Sequence, residues 1–236
     1  MSDAPKNIAL LIDADNASHN SLDDVLTVLA ELGAVNIRRA YGNWSKHALK
    51  GWAAATQTHA IEPQQQFDLT KGKNATDMKM TIDAMDLLAN GRVEGFGIMS
   101  SDSDFTPIAM RLRQNGLPVY GFGTSKTPEA FQKACTRFID VGALSEPAST
   151  IAQPVPTPER SQVDPQVLDL LGKAWKAAKR DEKGFAKLAE VGQLAGNQSS
   201  FDARSYGYSR LSDLIANVPE FTSEKRTDGM WVKRVR

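Results

Sequence analysis

The first apolar run of the chain, residues 8–12 (IALLI), contains no polar position and breaks into Asp13, Asp15 and Asn16. That is the pattern of a strand covered on both faces and ending at a polar edge. Five further runs rich in β-branched and aromatic residues, 35–41, 59–62, 96–100, 119–122 and 138–141, predict strands. Helical periodicity fills the intervals. In NSLDDVLTVLAELG, Asn20 or Ser21 serves as cap, Leu22, Val25, Leu26, Leu29 and Leu32 make one face, and Gly33 closes the helix. Other helices are predicted over 44–56, 76–90, 105–115 and 128–136. Within 76–90, Met78, Ile82, Met85 and Ala89 form the expected core stripe, and Asp77 lies on its shoulder beside Thr81, Ala84 and Leu88. Asp83 and Asp86 share a solvated face with Lys79 and Asn90. Alternating strands and helices imply an α/β fold with a mostly parallel sheet covered on both faces. In such sheets ligands bind at the carboxyl ends of the strands.

After residue 144 the pattern changes. Residues 145–162, SEPASTIAQPVPTPERSQ, carry four prolines and no apolar period, the composition of an extended linker between a domain over 1–144 and another over 163–236. The second domain opens with an amphipathic helix carrying Val167, Leu168, Leu171, Ala174 and Trp175. A second helix is predicted over 186–195 and a third over 209–217. Strands over 221–225 and 230–235 flank the turn Thr227-Asp228-Gly229. Three helices followed by a hairpin is the winged-helix order.

Composition sharpens this picture in three places. No apolar stretch approaches the roughly 20 residues of a membrane-spanning helix, and the N-terminus is polar, so a cytoplasmic protein is expected. A single cysteine, Cys135, excludes an intramolecular disulfide and reads as a small apolar helix residue. The chain as a whole is neutral, yet residues 1–144 hold 14 Lys+Arg against 16 Asp+Glu, net −2, while residues 163–236 hold 13 against 10, net +3. The C-terminal domain is therefore the one expected to meet a polyanion.

Three separate segments place acids where the sheet rule puts a site: Asp13 and Asp15 after the first strand, Asp77 in the first turn of a helix, and Asp102 and Asp104 in MSSDSDF after the fourth strand. Carboxylates gathered without histidine or thiol partners suit hard cations such as Mg²⁺ or Mn²⁺. The three histidines, His19, His47 and His59, show no ligand spacing. Such an ion activates water and offsets charge on a phosphoryl oxygen, so phosphodiester hydrolysis is the natural chemistry. Each acid also has a plainer reading. Asp13, Asp15 and Asn16 suit a turn, and Asp104 before FTPIAMRL suits a helix cap; Asp102 is harder to assign that way, because a cap needs one acid and the loop offers two. Thr124, Ser125 and Lys126, after the fifth strand, are candidates for holding a phosphate or simply form a turn into a helix begun by Pro128. Lys71 and Lys73, just before Asp77, are candidates for backbone phosphates or solvated lysines. Trp44 and Trp52, eight apart on one expected helix, suit core packing better than base stacking for at least one of them.

The motifs LLIDADN, KNATDMKMTIDAM and GIMSSDSDF, in that order, resemble the NYN domain, a branch of the PIN-like ribonucleases that includes the LabA-like bacterial proteins. The resemblance spans roughly residues 6–143. It implies a PIN-like three-layer α/β/α sandwich and metal-dependent RNA cleavage. By motif position it makes Asp13, Asp77, Asp102 and Asp104 the metal and catalytic acids, with Asn16 beside the first, while Asp15 falls between two motif positions. Ser101 stands where many relatives have glycine. FDARSYGYSRLSDLI in turn resembles the LOTUS, or OST-HTH, domain, through Ser205, Tyr206, Gly207, Tyr208, Leu211 and Leu214. That resemblance implies a winged-helix module that binds RNA or a protein partner. Tyr208, Leu211, Leu214 and Ile215 are its expected core, and Arg204, Arg210, Lys225, Arg226, Lys233 and Arg234 its candidates for phosphate contact.

The expectation is a Mg²⁺- or Mn²⁺-dependent ribonuclease in which the first domain cuts RNA and the second recruits it. Asp13, Asp77 and Asp102 would hold the ion, Asp104 would assist or orient water, and Asn16 would position a ligand. The competing class is an RNA-binding adaptor with a vestigial or structural metal pocket, and a third is a phosphatase, which leaves the LOTUS module unexplained.

Overall fold

Five consecutive residues of β1 (Asn7–Asp13), from Ile8 to Ile12, have no exposed surface at all. They divide by the two-residue period of a strand: Ala9 and Leu11 join the core on one side of the sheet, and Ile8, Leu10 and Ile12 the core on the other. The computed structural model describes residues 6–67, 74–145 and 165–235, and the chain separates into two units, residues 1–145 and 146–236. In the first unit β1 is the centre of a six-stranded parallel sheet. The other strands are β2 (Ala34–Gly42), β3 (Glu62–Gln65), β4 (Gly95–Met99), β5 (Val119–Gly123) and β6 (Arg137–Asp140), in the order β3-β2-β1-β4-β5-β6. The chain winds outward from β1 to β3, crosses back, and winds outward again from β4. The crossover leaves a switch point between the carboxyl ends of β1 and β4, the place where such sheets bind ligands. Helices α1 (Leu22–Ala30), α2 (Lys50–Thr58) and α6 (Val141–Ser145) cover one face, and α3 (Ala75–Ala89), α4 (Thr106–Gln114) and α5 (Glu129–Ala134) the other. This is the three-layer α/β/α sandwich.

Several expected elements shift. The strand expected over 59–62 lies at Glu62–Gln65, because α2 continues to Thr58 and His59 sits at its C-cap. Its sequence, EPQQ, is polar and contains Pro63, which only an edge strand tolerates. The helix expected from residue 44 starts with a 3₁₀ turn at His47, leaving Trp44 in the loop, where its indole N–H donates to the Gln64 carbonyl. Trp52 is buried and donates to the Ala17 carbonyl, and Trp44 is half-buried against the same core. The 3₁₀ turn before α1 is capped by Ser18, whereas Ser21, at the N-cap of α1, makes no side-chain bond.

The largest correction is on α3. The residues buried against the sheet are Thr76, Met80, Ala84 and Leu87; of the expected stripe only Met85 packs partly against that core, while Met78 and Ile82 are 66% and 57% exposed and Ala89 is exposed. Asp83 is not solvated either. It accepts a 2.9 Å hydrogen bond from the Tyr41 hydroxyl and pairs with Arg39 at 3.4 Å and Lys79 at 3.6 Å. Burial, and then the facing Asp83, push the Tyr41 hydroxyl well above its usual range, so Tyr41 remains a donor.

The second unit is built from α7 (Pro165–Ala177), β7 (Ala186–Lys187), α8 (Leu188–Gln198), α9 (Leu211–Ala216), β8 (Phe221–Arg226) and β9 (Gly229–Arg234). β9 pairs antiparallel with both β8 and β7, and the helices close a core around Leu171, Val191, Leu214 and Val232. β7 was not expected: Ala186 and Lys187 open the predicted second helix but pair with Val232 and Trp231 instead. The Ser-Tyr-Gly-Tyr motif forms a 3₁₀ turn, Ala203–Tyr206, closed by Gly207 at φ 78°, a left-handed conformation that selects glycine. Leu214 and Ile215 are buried, whereas Tyr208 and Leu211 pack partly buried against the same core.

Because Asp83 joins three partners across the β2–α3 contact, Asp83→Ala should destabilise the first unit by about 1–3 kcal/mol in chemical denaturation, by leaving the Tyr41 and Arg39 donors unpaired. Asp86→Ala, on the exposed side of the same helix, should stay within about 0.5 kcal/mol of wild type.

Candidate functional site

The parallel register of β1 with β4 pairs Ile12 with Met99, so the residues that follow, Asp13 and Ser100, emerge side by side at the switch point. Asp13 is fully buried. Its Oδ2 accepts from the Ser100 hydroxyl at 2.7 Å and from the Asn16 side-chain amide at 3.0 Å, while its Oδ1 has no partner among the described residues. Burial pushes the Asp13 carboxyl above its ordinary range, and the two hydrogen bonds partly offset that push. The Ser100 hydroxyl also accepts from the Asp102 backbone N–H at 3.1 Å, fixing the next loop to the same strand end.

In that loop the structure reverses the expected assignment of the cap. Asp102 caps the 3₁₀ turn Ser103–Phe105 by accepting from the Asp104 N–H at 2.9 Å, and Asp104 does not cap. Asp104 is exposed and accepts from the Asn74 side-chain amide at the start of α3. Asp77, in the first turn of α3, comes in from the third side. Carboxylate oxygens of Asp77, Asp102 and Asp104 all lie within 4.8 Å of one another. Asp13 lies outside this group and is the first of the charged neighbours felt by Asp77. Partial burial, followed by the charges of Asp13, Asp102, Asp104 and Asp15, raises the Asp77 carboxyl to about 6. Like charges held this close oppose folding unless a cation lies among them.

The residues therefore fit a divalent cation on two grounds. The donor set is all carboxylate oxygen, which hard ions prefer. A buried carboxylate oxygen without a partner is costly, and a bound cation would satisfy it.

Three supporting residues were missed from the sequence. Ser100 is one. The others are Thr76, whose hydroxyl donates to Asp15 at 3.1 Å, and Lys46, whose Nζ lies 3.1 Å from the other Asp15 oxygen. Asp15 is thus a tie between β1, α3 and the loop after β2. The only sequence cue for these residues was their place at strand and helix ends.

The candidate substrate residues are distributed unevenly. Thr124, Ser125 and Lys126 are exposed after β5, and the Thr124 N–H donates to the Ser101 hydroxyl, joining this loop to the acid loop. Lys71 and Lys73 lie outside the described residues. In the second unit Arg204 is mostly buried against Asp202. Arg226 pairs with Asp181 at 2.7 Å and Glu224 at 3.1 Å and stacks over Trp231 and Phe185. The guanidinium of Arg234 occupies the space a side chain at Gly172 would need. Lys233 is half-buried over Phe185, and Arg210 and Lys225 are exposed.

An open parallel sandwich with four carboxylates at its switch point has the layout of a metal-assisted phosphoryl-transfer or phosphodiester-hydrolysing protein. The family model of the NYN domain matches residues 7–145, more than half of the chain, and the chain belongs to the NYN family of PIN-like ribonucleases. The OST-HTH/LOTUS domain, an RNA-binding module, matches residues 159–233. A curated relative is the uncharacterized protein MJ0482 of Methanocaldococcus jannaschii, 29% identical over 120 residues, covering 49% of this chain and 47% of the relative. The chain thus spans about half the length of that relative. Among solved structures, the protein of unknown function VPA0982 from Vibrio parahaemolyticus matches with a TM-score of 0.50 at 18% identity, over 59% of this chain and 95% of that one. That likeness concerns the fold alone. Among the described residues, no helix is long and apolar enough to cross a membrane.

The raised Asp77 carboxyl fixes the sign of a pH effect on the metal-free protein. Between its ordinary 3.8 and about 6, the folded state binds more protons at this site than the unfolded chain. Its contribution to stability therefore falls as pH rises through that window. Asp77→Asn should raise the Tm of metal-free protein near pH 7.5 by about 2–4 °C, a figure discounted for the partial exposure of the group, and leave it nearly unchanged at pH 4. Added Mg²⁺ should stabilise wild type and not the variant, as read by differential scanning fluorimetry.

Proposed function

We propose that this chain is a divalent-metal-dependent ribonuclease whose LOTUS module recruits the RNA that the NYN domain cuts. The observation that carries this reading is the convergence of Asp77, Asp102 and Asp104 within 4.8 Å, in front of a buried Asp13 with an unsatisfied oxygen. Asp13, Asp77, Asp102 and Asp104 would hold Mg²⁺ or Mn²⁺, which when bound supplies water activation and offsets charge on the phosphoryl oxygens. Asn16 and Ser100 fix the Asp13 carboxylate so that its second oxygen points away from their hydrogen bonds. Asp104, the exposed acid, is placed to orient an attacking water. Thr124, Ser125 and Lys126 line the neighbouring strand end as contacts for the backbone of the RNA.

The second unit's share is affinity. Recruitment through a tether raises the local concentration of substrate without adding a contact at the acids. Of its candidate phosphate contacts, Arg210 and Lys225 are exposed, whereas Arg204, Arg226 and Arg234 are engaged within the unit.

The test is cleavage of labelled single-stranded and structured RNA with Mg²⁺ or Mn²⁺, alongside an EDTA control and Asp102→Asn. Wild type should cut only with metal, and the variant should lose at least about 100-fold in rate while still binding RNA. Equal binding with no cutting by either protein would instead leave an RNA-binding adaptor. Removing residues 163–236 should raise the RNA concentration needed for half-maximal rate by about 10-fold or more and change the saturated rate little. The opposite pattern would defeat this division of labour.

A further inference from the structure

Helix α3 is apolar on two opposite sides. At 100° per residue, Ile82, Met85 and Ala89 lie within about 40° of Met78, whereas the sheet-facing Thr76, Met80, Ala84 and Leu87 lie about 120° or more away. Met78 and Ile82 are 66% and 57% exposed and Ala89 is exposed, while Met85 is half-buried, packed on one side against the core of its own domain. A helix with a second apolar stripe has a second surface to cover. Among the exposed large apolar residues of the described chain, these two alone stand one turn apart on a helix.

The pattern of this ridge matches itself when reversed. A two-fold axis between Ile82 and Met85 sets Met78 of one copy against Ala89 of the other and Ile82 against Met85, large beside small at the ends and equal at the centre. The charges follow. Lys79 and Asp86 flank the ridge on the same side, about 20° apart around the helix. In the antiparallel pair each Lys79 comes within about two residues, or about 3 Å along the axis, of Asp86 on the other copy. The opposite flank carries Thr81, Leu88 and, at its N-terminal end, one charge, Asp77. RNA is a poor occupant, because the ridge itself is apolar and carries no cation, and Lys79 on its flank stands among acids, with Asp83 at 3.6 Å.

We propose that this protein self-associates as a two-fold dimer through antiparallel α3 helices, with Ile82 and Met85 at the centre of the contact and Met78 against Ala89 at each end. A single helix ridge lies at the low end of stable interface sizes, so the dimer is of micromolar strength and responds to concentration. The two Asp77 positions would then lie at opposite ends of the contact, about 20 Å apart along the helix direction.

The experiment is sedimentation velocity on the full chain from about 1 to 200 μM, with far-UV circular dichroism and Tm as folding controls. Wild type should pass from monomer to dimer mass across the series, Ile82→Glu should remain monomeric, and Asp86→Lys should weaken association about 10-fold. The double variant Lys79→Glu/Asp86→Lys, which exchanges the charges on every copy, should recover dimerisation. A wild type that stays monomeric throughout, or a dimer that tolerates Ile82→Glu, overturns the proposal. A dimer broken by Ile82→Glu but not recovered by the charge exchange overturns the antiparallel arrangement.

Discussion

Everything about the first unit is organised around one buried carboxylate at the end of its central strand. Asp13 has no exposed surface, and two side chains hold only one of its oxygens. A charge in that position is tolerable only if the framework compensates it. The compensation is built into the sheet: the β1–β4 register delivers Ser100 beside Asp13, the turn after β1 folds Asn16 back onto it, and α3 and the acid loop bring three more acids in front. Those acids add repulsion, which the fold opposes with the rigid strand ends behind them. A cation would turn the whole arrangement from a cost into a gain.

Much of this was visible in the chain before folding. The uninterrupted apolar run at 8–12 could only be a strand buried on both faces, and every acid of the converging group stood just past a strand or in the first turn of a helix. The failures share a cause. On α3 two apolar stripes share one helical period, and a period cannot say which of them meets the sheet; the answer came from Met80, Ala84 and Leu87. Asp83 was misplaced with that stripe, since its partners Arg39 and Tyr41 are more than 40 residues away. β3 was displaced because an edge strand needs no apolar residues of its own. Ser100, Thr76 and Lys46 escaped notice because residues that position others carry no chemical signature; only the register of neighbouring strands and loops reveals them.

The second unit shows how little a count of basic residues says about a surface. Its excess of positive charge is partly consumed inside the winged-helix frame. Arg226 is clamped by two carboxylates between Phe185 and Trp231, and Lys187 pairs with Asp228 while lying over the same tryptophan. These contacts join β7, β8, β9 and the loop before β7 through cation–π and ionic bonds, on top of the apolar core to which Ala186, Phe221 and Val232 contribute.

The switch point also sets when the site comes into being. Between β1 and β4 the chain must complete β2, β3 and α3, so Asp13 meets Ser100 only across a separation of 87 residues. A nascent or truncated chain ending before residue 95 carries Asp13, Asp15 and Asp77 but offers β1 no neighbour on that side and no acid loop. Such a contact closes late in folding, because its loop entropy is repaid only by long-range pairing. The acids of distant segments therefore meet only when the fourth strand stands beside β1: completion of the sheet is itself the assembly of the site.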